Sequence, residues 1–180
     1  NLDFTSQWFM ADGYMRPILR SEYQTTITNV HQLQLVALDL SANYVLGADV
    51  DASATDGSDA ADIWKAGGFT PLGNQQVPDF TGTFDGQDHV IKGLTITRSI
   101  GSNDGVALFG QIGAAGVVKN IGIVDADITS KYFGAPLAGY NDGLIENAYS
   151  TGTIKSDYSG GGLVSSNDGT ITGSHSSANV

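Results

Sequence analysis

The chain has 180 residues, 41% of them apolar, with 19 acidic against eight basic side chains and a formal net charge of −11. That size and apolar fraction describe one folded domain rather than a disordered chain, and the negative charge, with its bases scattered, argues against nucleic acid or anionic lipid as a partner. Cysteine is absent, which excludes disulfides and thiolate metal sites without settling the compartment.

Of the acids, 17 are Asp and two are Glu (Glu22 and Glu146), beside 24 Gly. Asp and Gly suit turns where Glu would suit helices, so the composition points to an all-β chain. The opening "NLDFTSQWFMADGYMRP" lacks a basic segment followed by an apolar one, and no apolar run approaches the roughly 20 residues that span a bilayer. Membrane insertion is not expected, and an export signal is expected to lie outside these residues.

Residues 1–43 stand apart from the rest. Within "TTITNVHQLQLVALDL", Thr28 or Asn29 is a plausible N-cap, and Val30, Leu33, Val36 or Ala37, and Leu40 fall at helical spacing. The segment is read as a helix that covers the open end of a solenoid, with His31 on its polar surface. Next come "NYVLGADVDAS", "GFTPLG" and "FTGTFDGQDHVIKGLTI", the first strands of residues 44–180. "DVDASATDGSDAAD", from Asp49 to Asp62, is rich in Asp and has no base. Asp49, Asp51, Asp56 and Asp59 are the calcium candidates here, although the Asp51-to-Gly57 spacing misses the EF-hand pattern; the competing reading is a solvated loop.

From Ile91 a repeat becomes visible. Ile91, Val118, Ile145 and Ile171 stand at successive offsets of 27, 27 and 26. They are followed in step by Gly93, Asn120, Asn147 and Gly173, then by Leu94, Ile121, Ala148 and Ser174. Leu137 and Leu163, Asn141 and Asn167, Gly143 and Gly169, and Tyr132 and Tyr158 keep an offset of 26. Segments such as "VIKGLTI" and "LIENAYSTGTI" alternate as strands do. A unit of that length cannot close a core alone, whereas stacked units share one interior. The fold expected is a right-handed parallel β-helix with an N-terminal capping helix. The Ile91-to-Ile171 column would face inward, and Lys92, Lys119, Glu146 and Thr172 outward, with Lys119 beside Glu146.

The "NDG" turns at Asn103–Gly105, Asn141–Gly143 and Asn167–Gly169 are read as corners in which positive φ is tolerated; Asp104, Asp142 and Asp168 are the alternative, calcium-binding reading. Tyr132, Phe133, Tyr140, Tyr149 and Tyr158 either stack along one face or bind a glycan or protein partner. Tyr132, Tyr140, Tyr149 and Tyr158 are the binding candidates. "FDGQDH" offers Asp85, Asp88 and His89 as an acid/base group for a polysaccharide-active enzyme, but no second base falls at the same column one repeat on, where Gly116 stands. A threonine ladder of the ice-binding kind is broken at both Thr95 and Thr97. No catalytic residue is assigned.

The stretches "YVLGADVDAS…GFTPLG…FTGTFDGQDHVIKGLTI" and "GGLVSSNDGTI" resemble the GLUG-repeat region of large bacterial haemagglutinin-like adhesins exported by two-partner secretion. The front, "SQWFMADGYMRPILRSEYQTTITNVHQLQLVALDL", is similar to the segment that precedes the repeats in those proteins. Asp88 departs from the usual Gly of "FDGxGH", and Pro136, Ala138 and Ser165 depart from "GGLVG", which bears on the regularity of the stack. The resemblance implies a secreted or surface-displayed, non-catalytic stalk or adhesive segment, with a host-cell or bacterial surface glycan or protein as partner. It also implies further repeats of the same polypeptide: Val180 falls where the preceding copy has Ile154, so the sequence is expected to continue.

Overall fold

The computed structural model describes residues 2–10, 15–59, 61–74, 77–98 and 104–180. Its strands pair overwhelmingly in parallel. The main sheet runs in order from Thr26–Ile27 through Tyr44–Leu46, Thr83–Asp85, Val117–Ser130 and Leu144–Ser156 to Thr170–Thr172. A second parallel sheet joins Phe109–Ile112, Ala138–Asn141 and Val164–Asn167, and a small one joins Phe133–Gly134 to Ser159–Gly160. The antiparallel pair Trp8–Phe9 and Ile18–Leu19 precedes them.

Residues stack in register from one rung to the next. One column is Tyr44, Phe84, Val118, Ile145 and Ile171, and a second is Val50, Ile91, Ile123, Ser150 and Ser176. Ile96, Ile128 and Ile154 form a third, which Val180 extends because its neighbour Asn179 bridges Thr153. All but the last rung's members are at most 3% exposed. Aromatic rings fill the early rungs: Phe109 lies 4.8 Å from Phe80 and 5.5 Å from Phe84.

This register corrects the sequence reading. Ile91 does not lie under Val118; Phe84 does, at an offset of 34, and Ile91 pairs with Ile123 at an offset of 32. Only from Val117 onward does the spacing settle at 26 or 27. The error has a physical origin: two of the corners in successive rungs carry a similar signature. Positive φ occurs at Asp88, Asn120, Asn147 and Gly173 at one corner, and at Gly93, Asp125 and Gly152 at the other. "VIKG" therefore looks like "VVKN" while belonging to the next corner. The outward column shifts accordingly. Asp85, not Lys92, precedes Lys119 and Glu146, and the Lys119 ammonium pairs with Asp85 at 3.4 Å.

The NDG corners also differ from expectation; Asn103 of the first lies outside the described residues. Gly105, Gly143 and Gly169 do not have positive φ. Glycine is needed at all three for closeness instead: a Cβ on Gly105 would collide with the Gly110 carbonyl oxygen, one on Gly143 with that of Gly116, and one on Gly169 with that of Gly143. The buried Asn141 amide donates to Asn167 Oδ1 at 2.7 Å, and its own oxygen accepts from the Gly143 N–H at 3.2 Å. The side chains thus link successive rungs.

The helix is shorter than its periodicity suggests. It spans Val30–Leu35, capped by Asn29, whose side chain accepts from the Gln32 N–H, and continues as a 3-10 turn over Val36–Leu38. It lies within the crossover from Thr26–Ile27 to Tyr44–Leu46, so the parallel stack begins ahead of residue 44. Val30, Leu33 and Leu35 pack into the core. Gln34, fully buried, bonds both the N–H (2.9 Å) and the carbonyl (3.0 Å) of Thr70 and accepts from the Trp64 indole at 3.2 Å.

Ile145→Ala should cost about 2–5 kcal/mol, because rungs on both sides hold the hole open. Ile171→Ala, at a site 37% exposed in the last rung, should cost far less. Denaturant unfolding of the two variants measures the contrast; equal losses would contradict this register.

Candidate functional site

The tyrosines singled out in the sequence distribute over three ring contacts. Tyr132 and Tyr158 stack at 4.9 Å and 18°, with the Lys131 ammonium 5.2 Å from the Tyr132 ring. Tyr158 is 72% exposed. Tyr140 packs against Phe133 at 4.5 Å, and burial, followed by the Asp104 charge, raises its phenol pKa. Tyr149 stacks on His175 at 5.6 Å and 10°. Its ring covers Gly122, where a Cβ would lie 2.4 Å from the phenol carbon. The Gly122–Tyr149–His175 column was legible in principle, since its members follow one another at offsets of 27 and 26.

Three carboxylates of the acidic loop bond to their own turns. Asp51 accepts from the Ser53 N–H at 2.9 Å, Asp56 from Ser58 at 2.7 Å and Asp59 from Ala61 at 2.7 Å. Asp49 instead reaches forward one rung, accepting from the Val90 N–H at 3.1 Å and meeting His89 Nδ1 at 2.9 Å. The Val90 and His89 hydrogen bonds, in that order, lower its pKa. The structure therefore does not bring Asp49, Asp51, Asp56 and Asp59 onto one point. Among the described residues no three His, Asp or Glu side chains converge as a metal site. At the corners, Asp142 accepts from the Gln111 amide at 3.0 Å.

The acid/base trio is likewise drawn apart. Burial pushes Asp85 up, but the Gln87 N–H, the Asn120 amide and Lys119 together outweigh it and hold the carboxyl below its ordinary range. Asp85 thus faces the following rung while His89 faces the preceding one, and Asp88 is exposed at a positive-φ corner. These contacts tie rung to rung. His31, expected as polar surface, is half-buried and bridges to Asp62 at 3.0 Å beside the Trp64 ring. Gln34 is the polar anchor that sequence reasoning missed; its position on the apolar side of a short helix was the available signal.

The lowered pKa values of Asp49, Asp51, Asp56 and Asp85 fix a sign. Carboxylates held below their unfolded value of 3.8 contribute stability that is complete above that pH and lost as pH falls through the folded values. Thermal unfolding from pH 7 to 2 should show the loss beginning below about pH 4, with a shallower slope in Asp85→Asn. Salt should raise the melting temperature by screening the net charge, and calcium at matched ionic strength should add nothing further. A calcium-specific rise would restore the metal reading of the acidic loop.

No family model matches the chain, and no solved structure does. Over 115 residues, 62% of its length, the chain is 40% identical to halomucin of Haloquadratum walsbyi (strain DSM 16790 / HBSQ001), and it spans about 1% of the length of that relative.

Proposed function

We propose that the chain is a structural segment of a secreted or cell-surface protein, its rungs winding as a right-handed parallel β-helix that acts as a stiff, non-catalytic spacer. The observation that carries this reading is the single register maintained from Tyr44 to Ile171, in which each rung buries the next. Stacked rungs resist bending because neighbouring core columns and ladder hydrogen bonds would have to open together. The similarity to halomucin, a far longer relative, supports a surface or secreted setting. The resemblance to haemagglutinin-like repeats supports an adhesin context, with a glycan or protein as the recognised partner.

Binding by the segment itself is the second reading. The exposed ring of Tyr158, stacked on Tyr132 beside Lys131, is the surface that favours it. Under the spacer reading the pair links two rungs, so Tyr132→Ala should lower stability by about 0.5–1.5 kcal/mol and leave glycan-array and cell binding unchanged. Lost binding at unchanged stability would favour the adhesive reading. Antibody labelling of intact source cells should find the protein on the envelope or in the medium; a cytoplasmic location would overturn the proposal. Depolymerisation of glycans, abolished by Asp85→Asn, would overturn its non-catalytic part.

A further inference from the structure

An open groove of about 420 Å³ lies on the outer surface of the early rungs, lined by Asp49, Asp51, Ser53, Val90 and Lys92. Small-ligand sites span roughly 300–1,000 Å³. Strand alternation builds it. Val50 pairs with Ile91 and both are buried, so Asp49 and Asp51 on one strand, and Val90 and Lys92 on the next, stand outward. Lys92 sits directly beside Asp51.

The stack departs from its later regularity at this place. Val90 is the fifth residue after Asp85, whereas its partner Gly122 is the third after Lys119. A uniform spacer has no need of those extra residues. Here they bring His89 to Asp49 Oδ1 at 2.9 Å, and the Val90 N–H donates to the same oxygen at 3.1 Å. Asp49 thus joins two rungs through Oδ1, while Oδ2 takes no hydrogen bond among the described residues and the side chain is 69% exposed. Asp51 is held by the Ser53 N–H at 2.9 Å. These two backbone bonds are the largest causes holding both carboxyls below their ordinary range, so at neutral pH both are acceptors in fixed positions. The Lys92 side chain is 64% exposed and pairs with the exposed Asp125 at 3.7 Å. Such a surface pair is weak, which leaves the ammonium able to turn to a ligand.

We infer that this groove binds one sugar residue of a neutral glycan. Adjacent ring hydroxyls donate to Asp49 and Asp51, a further hydroxyl accepts from Lys92, and the C–H face of the ring lies on Val90. Asp49, Asp51 and Asp125 outnumber the one ammonium and repel the carboxylate of an acidic sugar. The inference rests on the binding reading given above but uses neither Tyr132 nor Tyr158. The spacer reading stands with or without it.

NMR titration of the full chain with gluco-, galacto- and manno-configured neutral trisaccharides, and with acidic and amino-sugar counterparts, tests the site. The expected result is saturable shifts of the Val90, Lys92 and Gly93 amides with at least one neutral trisaccharide. Asp51→Ala should raise its dissociation constant about tenfold, the loss expected of one charge-assisted hydrogen bond. Lys92→Ala should raise it by a similar factor with melting as in the parent, and it serves should Asp51→Ala disturb its turn. Tyr158→Ala should leave the constant unchanged. Absence of shifts with every neutral sugar overturns the site and leaves the spacer reading intact. Shifts confined to Tyr132 and Tyr158, tighter binding of a charged sugar of either sign, or binding indifferent to Lys92→Ala and to a folded Asp51→Ala also overturn it.

Discussion

Parallel pairing in register is the constraint on which everything else in this molecule depends. Each strand of a rung borrows its hydrogen bonds and half of its apolar cover from the rung before it, about 4.8 Å away. A residue's environment is therefore set by what stands above and below it rather than by its sequence neighbours. Ile145 is buried because Val118 and Ile171 flank it, and Gly143 is glycine because the Gly116 carbonyl leaves no room for a Cβ. A misplaced rung would set charged side chains against apolar columns along its whole length.

The same constraint organises the polar groups. Asn141 bonds to Asn167, Asn120 accepts from Asn147 at 3.2 Å, and Asp85 takes hydrogen bonds from Asn120 and a contact from Lys119. Such side chains secure the corners, where the ladder of backbone bonds changes direction. They also account for chemistry-bearing residues that would otherwise suggest a site: His89 and Asp49 join two rungs, and Tyr132 and Tyr158 join two others. Some carboxylates hold their own turns, as Asp51, Asp56 and Asp59 do, while Asp49, Asp85 and Asp142 reach to neighbouring rungs.

Much of the later stack was legible in the sequence because the offset there is constant. The pairs Asn141–Asn167, Gly143–Gly169 and Tyr132–Tyr158 are true neighbours. So is Ile145–Ile171. The first full rung misled because Val90 follows Asp85 at the fifth position, where its partner Gly122 follows Lys119 at the third. That local insertion is hidden by two corners with the same apolar, charged, turn-forming signature. Helical periodicity located the segment from Val30 but overran its end, since nothing in the spacing of Leu40 reveals that Asp39 is extended and bonds Ser41. The Tyr132–Tyr158 stack followed from the offset, whereas the Phe133–Tyr140 contact, seven residues apart, did not. The scattering of the acids into separate turns did not, because one-dimensional clustering carries no information about where side chains point.

The register itself is most directly tested by paired cysteines, which this cysteine-free chain permits without background. Replacing Lys119 and Glu146 places two thiols on directly paired residues of neighbouring strands, within the Cα separation that a disulfide tolerates. Replacing Lys92 and Lys119 does so only if the spacing seen in the later rungs also held between these two lysines. Mild oxidation should close the 119–146 bridge rapidly and leave the 92–119 pair reduced. Ready closure of 92–119, or refusal of 119–146, would contradict the stack described above.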